Sequence, residues 1–193
     1  MVSYKRLSHM AVLSFKNGYR LHLDSLKLLQ IGSFPSATML SVLAMEEFGK
    51  YFSLSSYVFY TQINDNRNLK FEDSYLKGLY LHPLKQQMCF GRDGFLPSDE
   101  LTHRASNREF EELKQSSTYV GFKRKRGKIS YDKKITNPLK ISKQMAVRQI
   151  RFLNRLLTNM VKDHLAGIVQ MDENEVNNML SSKMLKTLRS FKL

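Results

Sequence analysis

Three charged residues, Glu46, Glu47 and Lys50, stand in the middle of a long apolar and small-residue stretch from Ser36 to Tyr60. The pattern predicts a helix on which Lys50 follows Glu46 by four residues and Glu47 by three, so that the ammonium group and the carboxylates share a face. A helix that is apolar on nearly all sides is normally buried, and buried charges are costly unless they are paired and hydrogen-bonded. Charges in this position indicate a site or a specific internal contact.

Two interpretations of this cluster remain open. In the first, one carboxylate acts as a general base or orients one, while Lys50 stabilises a phosphate oxyanion. In the second, an internal ion pair fixes the packing of the helices, with Asn17 or Asp24 as further partners. The sequence does not decide between chemistry and scaffold.

A second candidate is the pair His82 and Lys85. Pro83 favours the first turn of a helix, which places His82 near the N-cap and Lys85 about one turn later on the same side. A helix N-terminus with a lysine and a histidine suits an anionic phosphate, and histidine transfers protons near neutral pH. A lone histidine is more often structural or merely at the surface, so this assignment also stays open.

Metal binding has less support. Glu100 and His103 form one Glu-x-x-His element, whereas a di-iron site in a helical bundle needs two of them and further carboxylates. The five histidines and one cysteine show no zinc-type spacing, and glycine-rich phosphate loops are missing. We therefore expect no metal and no cofactor.

The formal net charge of +14 favours contact with a polyanion, with RNA or DNA first, anionic lipid second and an acidic protein third. The densest basic run lies beside aromatic residues whose rings suit stacking on unpaired bases, at Tyr119, Phe122 and Tyr131. The RNA-binding candidates in this run are Lys123, Arg124, Lys125, Arg126 and Lys128, together with Tyr119. A later stripe is more typical of a solvated helix face and contains Arg148, Arg151, Arg155 and Lys162.

Cys89 is the single cysteine, so no intramolecular disulfide framework exists and a reducing compartment is favoured. The first residues lack the long apolar core of a secretory signal, and the three central charges make membrane insertion of the 36–60 stretch expensive. We expect a cytoplasmic protein without a membrane partner.

Apolar periodicity and cap residues predict an all-α protein of one domain over residues 1–193, with a core at about 8–165 and a helical appendage at about 172–191. Polar composition predicts a turn at 64–68 and a loop at 90–100. The basic run is equally compatible with a small β-hairpin and with an extended loop. The predicted helices cover residues 8–30, 36–60, 73–88 with an interruption at Pro83, 106–115, 142–165, and a last segment that begins at Asp172.

Several elements, taken in order, resemble the AbiV-type abortive-infection proteins, a branch of the HEPN helical superfamily. Their first helix carries Asn and Asp seven residues apart and their second ends in EExGK, matched here by Asn17, Asp24, Glu46, Glu47, Gly49 and Lys50. A His-x-x-Lys element and an LKxxxxYV segment are matched by His82, Lys85, Lys114, Tyr119 and Val120. The departures are mild, since Gly18 and Ser25 stand where the family often has Ala.

The resemblance implies a HEPN-like four-helix bundle that pairs as a homodimer, and a role in phage defence through self-limiting growth arrest. The effector is usually silent until infection, which implies a phage-encoded activator. Many HEPN proteins are ribonucleases with an Arg, four to six residues, and then a His. This chain lacks that motif, so the usual nuclease site cannot be transferred to it.

The leading hypothesis is metal-independent RNA cleavage by attack of the ribose 2′-hydroxyl on the adjacent phosphate. His82 would carry protons, Lys50 and Lys85 would hold the phosphate, and Glu46 or Glu47 would orient partners. The alternative is a non-catalytic effector that blocks translation by binding RNA, the ribosome or a phage protein. A third interpretation is a module that senses a phage protein and passes the signal on.

Overall fold

Helices make up most of the chain in a computed structural model that describes residues 2–63, 69–89, 99–122, 124–125, 128–131, 135–171, 173–191 and 193. Two short strands, β1 (Arg124–Lys125) and β2 (Lys128–Ile129), and a 3-10 turn at Pro138–Lys140 lie between the sixth and seventh helices. In chain order the helices are α1 (Tyr4–Gln30), α2 (Phe34–Ile63), α3 (Leu69–Gly78), α4 (His82–Met88), α5 (Asp99–Ser106), α6 (Glu109–Thr118), α7 (Lys143–Leu165), α8 (Asn174–Met179) and α9 (Ser182–Ser190).

The two long N-terminal helices form an antiparallel pair whose ends follow from their cap residues. The Ser3 side chain accepts a hydrogen bond from the backbone nitrogen of Arg6, so α1 begins at Tyr4, four residues before the predicted start. Gly32 adopts a φ of 81°, in the left-handed region that glycine reaches without steric cost, and turns the chain. The Ser33 carbonyl then accepts from the backbone nitrogen of Ala37, and α2 begins at Phe34.

The core lies around α2, as its composition predicts. Seventeen of its thirty residues are buried, on nearly every side of the helix, because α1, α4, α6 and α7 all pack against it. Edge-to-face aromatic contacts join α1 to α2, with ring centroids 5.4 Å apart for Phe15 and Phe48 and 5.1 Å for Phe15 and Tyr51. The expectation of an all-α fold is confirmed, and none of the helices described is both long and apolar enough to cross a membrane.

Between α2 and α7 the helices differ in their bounds from the prediction. The expected interrupted helix at 73–88 is two helices, α3 and α4, separated by a turn before Pro83. The helix expected at 106–115 begins at Glu109. Arg108 has a φ of 61°, in the left-handed region, and so interrupts the helical conformation between α5 and α6. Residues 99–100 of the expected loop belong to α5, while residues 90–98 and the expected turn at 64–68 lie outside the described residues.

The C-terminal segment forms two short helices rather than one. Ser181 caps α9 and accepts from the backbone nitrogen of Met184, which separates α9 from α8. Asp172, where the last helical segment was expected to begin, lies outside the described residues, and Glu173 is the N-cap residue of α8. The Glu173 side chain caps nothing; instead it accepts hydrogen bonds from Tyr51 (3.0 Å) and Ser55 (3.1 Å) of α2. This buried carboxylate fastens the C-terminal segment to the core.

The basic run is a hairpin in the structure. Strands β1 and β2 pair antiparallel, with Arg124 opposite Ile129 and Lys125 opposite Lys128. An antiparallel bridge between Gly121 and Thr136 joins the two ends of the segment that contains this hairpin. Of the two alternatives that the sequence left open, hairpin and extended loop, the structure has the hairpin.

His22 of α1 lies entirely inside the protein and joins three helices. Its Nε2 is 3.0 Å from Oδ1 of Asn154 in α7, and Nδ2 of Asn154 donates to the carbonyl oxygen of Leu188 in α9. Since Asn154 presents its oxygen to the ring, His22 must donate from Nε2–H. Nδ1 is buried without a hydrogen-bond partner among the described residues. Burial therefore lowers the pKa of His22 to about 4, and the hydrogen bond with Asn154 opposes this only in part.

We predict that acid weakens the fold through His22. The unfolded chain binds a proton on this ring below its ordinary pKa of about 6.5, whereas the folded chain does so only near 4, so stability is full above pH 6.5 and is lost as the pH falls from 6.5 to 4. Over that range the loss is about 3 kcal/mol. Urea unfolding at pH 7, 6 and 5 measures it. His22→Gln should flatten the pH dependence, and an unchanged pH dependence in that variant would contradict the prediction.

Candidate functional site

A buried carboxylate on α2 is the centre of a polar cluster formed by three helices. The Glu46 side chain is 2% exposed. Its Oε1 accepts from Gln86 Nε2 (2.9 Å) and Lys114 Nζ (2.9 Å), and its Oε2 lies 2.6 Å from His82 Nδ1 and 3.7 Å from Lys85 Nζ. Glu111 of α6 contacts Lys114 in turn. These six residues, called the Glu46 cluster below, are Glu46, His82, Lys85, Gln86, Glu111 and Lys114.

Close packing of α4 on α2 makes these contacts possible. A Cβ atom placed on Gly49 would lie 1.8 Å from the carbonyl oxygen of Lys85, so the two backbones meet at a point where no side chain fits. On α4, His82, Lys85 and Gln86 have the i, i+3, i+4 spacing that gives one helix face, and at this distance that face reaches Glu46. The glycine of the EExGK sequence is therefore a packing requirement of the site.

Helix α6 contributes the remaining contacts of the Glu46 cluster. Lys114 Nζ lies 2.7 Å from Glu111 Oε2 as well as 2.9 Å from Glu46 Oε1, and Gln115 donates to Glu111 Oε1 (3.0 Å). Burial alone would raise the pKa of Glu111, but hydrogen bonds from Lys114 and Gln115 and the charge of Lys114 outweigh it and lower that pKa. Two carboxylates thus face the two ammonium groups of Lys85 and Lys114.

His82 connects this interior network to solvent. The carboxylate of Glu46 can only accept, so Nδ1 of the ring donates to it and Nε2 is the nitrogen left for a ligand. The His82 side chain is 51% exposed and lines a cleft of about 770 Å³. Glu111 and Lys114 line the same cleft, together with Met39 and Leu43 of α2. A carboxylate that holds one nitrogen of a half-exposed, cleft-lining ring is the arrangement of a general acid–base histidine.

The outer wall of the cleft carries exposed aromatic and apolar side chains before and within the hairpin. Tyr119 is 66% exposed, Phe122 47% and Ile129 45%, and all three line the cleft. Tyr131 packs edge-on against Phe122, with ring centroids 5.2 Å apart. Of the basic residues, Lys123 and Arg126 lie outside the described residues, as do the side chains of Arg124, Lys125 and Lys128, whose backbone forms the two strands.

The structure brings together Glu46, His82 and Lys85 of the predicted site and separates the other two residues from them. Of the two interpretations that the sequence left open, the internal ion pair does not involve Lys50, which has no ion pair with any acid that the structure describes. The reason is that α4 and α6 already supply three hydrogen-bond donors and the ammonium of Lys85 to Glu46, and Lys50 instead lines a separate cavity. Glu47 is half-buried, and no hydrogen bond or ion pair joins it to a described side chain.

Asn17 and Asp24 also lie apart from the cluster. Arg20 of the same helix donates to Asn17 Oδ1 (2.9 Å) and to Asp24 Oδ2 (3.1 Å), and Lys27 Nζ is 3.7 Å from Asp24 Oδ1. Their expected contact with the charges of α2 is therefore replaced by a ladder along the outer surface of α1. This ladder supports α1 locally and contributes no group to the cleft.

Three members of the cluster were absent from the predicted site, namely Gln86, Glu111 and Lys114. Gln86 was within reach of sequence reasoning, since it follows His82 by four residues and so shares its helix face. Lys114 belongs to the LKxxxxYV segment, but its role depends on how α6 packs, which local spacing does not reveal. Glu111 precedes it by three residues, an ordinary ion-pair spacing on any helix.

Glu46, His82 and Glu111 also offer three ligand atoms within 4.8 Å of one another, a spacing that a metal ion would fit. Lys114 Nζ, however, already lies between the two carboxylates at 2.9 and 2.7 Å, and its ammonium supplies the positive charge there. A metal would have to displace it, so the donor set suits an ammonium better than a divalent ion. In the Glu100 and His103 pair, the Glu100 side chain lies outside the described residues, and His103 contacts Asn107.

Comparison with known proteins gives one family. The family model HEPN_AbiV, described as AbiV, matches residues 6–158, which include every member of the Glu46 cluster. No curated protein and no solved structure matches the chain significantly. The matched segment spans more than three quarters of the sequence and contains most of α1, the helices from α2 to α6, and most of α7. The chain therefore belongs to the AbiV family of HEPN proteins, a family associated with abortive-infection defence.

Proposed function

We propose that this protein is an abortive-infection effector that binds RNA in the cleft beside His82 and cleaves it without a metal ion. The observation that carries the proposal is the 2.6 Å contact between His82 Nδ1 and the buried Glu46, which leaves Nε2 for a ligand on a half-exposed ring that lines the cleft. A homodimeric assembly, an RNA or ribosomal target and a phage-encoded activator belong to the same proposal, and their support is the family resemblance.

In the proposed reaction, His82 Nε2 takes the proton of a ribose 2′-hydroxyl while that oxygen attacks the adjacent phosphorus. The bond from phosphorus to the 5′-oxygen breaks, and this leaving oxygen takes a proton from the histidine or from water. The products are a 2′,3′-cyclic phosphate and a 5′-hydroxyl. Glu46 accepts hydrogen bonds from His82, Gln86 and Lys114 and has no role as a base; it positions the ring and stabilises the imidazolium that forms.

Lys114 takes the place that the sequence hypothesis gave to Lys50. It lines the cleft and its side chain is 13% exposed, so its ammonium is available to a phosphate oxygen while Glu46 and Glu111 hold it in place. Lys85 is similarly buried, at 11%, and its ammonium, 3.7 Å from Glu46 Oε2, is a source of positive potential beside His82's carboxylate partner. Lys50 and Glu47 have no part in the proposed chemistry.

The test compares RNA cleavage by the purified wild-type protein and by a variant in which His82 is replaced. His82→Asn keeps a side-chain amide that can donate to Glu46 but removes the base, so the cleavage rate of a single-stranded RNA should fall by about 10²- to 10⁴-fold. Glu47→Gln is the matched control and should cleave as the wild type does. The cut ends should carry a cyclic phosphate and form equally well in EDTA. Equal cleavage by wild type and His82→Asn, in vitro and in infected cells, would overturn the assignment.

The exposed rings beside the basic hairpin favour a second candidate function, non-catalytic arrest by occupation of RNA or the ribosome. Tyr119 and Tyr131 are 66% and 72% exposed, a state that suits stacking on unpaired bases. This function predicts growth arrest with intact RNA, retained in His82→Asn and lost when the charges of residues 123–128 are reversed. Filter binding should then weaken steeply with salt.

A further inference from the structure

We propose that a second cavity, separate from the cleft, binds a small amphiphilic anion, a molecule with one carboxylate or phosphate group and a short apolar body. The cavity has a volume of about 300 Å³ and lies where the first turns of α1, the middle of α2 and the end of α3 meet. Two cations and a mostly apolar wall line it, including Arg6, Lys50, Met10, Leu76, Leu79 and Tyr80.

The charges of this cavity lack a counter-ion. Neither Arg6 nor Lys50 has a side-chain hydrogen bond or ion pair within the part of the chain that the structure describes. Of the two acids on α3, Asp73 pairs with Lys77, and the buried Glu72 accepts from the backbone nitrogen of Val2 (3.1 Å) and from Tyr57 (3.1 Å). Lys50 is half-buried, and a cation withdrawn from water without a partner is costly. An anionic ligand would remove that cost.

The apolar side chains that line the cavity indicate the apolar part of the ligand. Leu79 is 3% exposed and Leu7 is fully buried, so this part of the cavity lining is apolar. Met10 is half-buried and has a flexible side chain that adapts to ligands of different shape. A volume of about 300 Å³ is at the small end of ligand sites, which suits a short chain or a single ring rather than a nucleotide.

This cavity is independent of the proposed nuclease site. Lys50 is one helical turn after Glu46, but none of the residues that line the cavity lines the cleft. Its ligand therefore has to be found by binding rather than by RNA cleavage. A failure of the cleavage experiment leaves this inference untouched, and the reverse also holds.

Calorimetric titration and thermal shift with hexyl phosphate, hexanoate and hexanol test the proposal. We expect hexyl phosphate or hexanoate to bind and to raise Tm, while the uncharged hexanol binds at least about ten-fold more weakly. Lys50→Met keeps the length of the side chain and removes its charge, and should weaken anion binding by about ten-fold. Lys5→Met, at an exposed position of the same turn of α1 outside the cavity, is the control and should bind as the wild type does.

Arg6→Gln, at an exposed position, provides a second charge deletion in case Lys50→Met lowers stability. Loss of anion binding in either variant, with hexanol binding unchanged, supports the proposal. The proposal is overturned if no anion binds, if hexanol binds as tightly as the anions, or if both charge deletions leave anion affinity unchanged.

Discussion

Gly49→Ala is expected to displace α4 and to destabilise the protein by about 3 kcal/mol or more. The added methyl group would lie 1.8 Å from the carbonyl oxygen and 2.8 Å from the carbonyl carbon of Lys85, and backbone atoms cannot turn aside as the end of a side chain does. The seven-residue helix α4 would have to move away from α2, and His82, Lys85 and Gln86 would move with it. The free energy of urea unfolding measures the loss, and proteolysis around residues 82–88 reports the detachment.

Gly18→Ala is the matched control, since both glycines are buried in long helices and the same methyl group is added. Here the new Cβ would meet two ring atoms of Phe48 at 3.2 Å and the carbonyl oxygen of Ala44 at 3.3 Å, so a shift of a few tenths of an ångström suffices. The higher helix propensity of alanine, about 1 kcal/mol, offsets that strain, and the net change should stay within about 1 kcal/mol. Equal stability of the two variants would show that α4 does not need its close approach at Gly49.

Local spacing was enough to predict part of the site. A charged residue inside an apolar helix predicts a buried carboxylate, and Glu46 is one. Pro83 in a first turn predicts that His82 and Lys85 share a face, and both contact Glu46. These predictions depend only on the spacing of residues along a single helix, and the tertiary packing is consistent with that spacing.

The other contacts of the site depend on which side chains from distant parts of the chain reach the same acceptor. Lys50 is well placed on α2 to pair with Glu46, but Lys114, 68 residues away, takes the contact. Likewise, His22 reads as one polar residue on an apolar face, and its partner Asn154 is on a helix that starts more than a hundred residues later. Long-range contacts of this kind follow from the assembled core and cannot be read from the spacing of residues.

Removal of the Glu46 charge is expected to cost about 3–5 kcal/mol. Glu46→Leu retains a side chain of similar volume but leaves Lys85, which is only 11% exposed, without its carboxylate, and leaves Lys114, 13% exposed, with Glu111 alone. Three hydrogen-bond donors also lose their acceptor in the interior. Equilibrium unfolding in urea measures the change. Glu47→Leu makes the same substitution at the neighbouring residue, which has no described partner, and should change stability by no more than about 1 kcal/mol.

Glu46→Gln separates the electrostatic role of this residue from its role at His82. Gln86 and Lys114 both donate to Oε1, so the amide oxygen of the new side chain belongs on that side and its NH₂ group turns toward His82. The ring then has to accept at Nδ1 and carry its proton on Nε2, which can no longer take a proton from a ribose hydroxyl. The ¹⁵N shifts of His82 should show this exchange of tautomers in the folded protein, and RNA cleavage should fall about as far as in His82→Asn. If Nε2 remains unprotonated in Glu46→Gln, Glu46 does not set the state of the histidine, and its burial serves the packing of α4 and α6 alone.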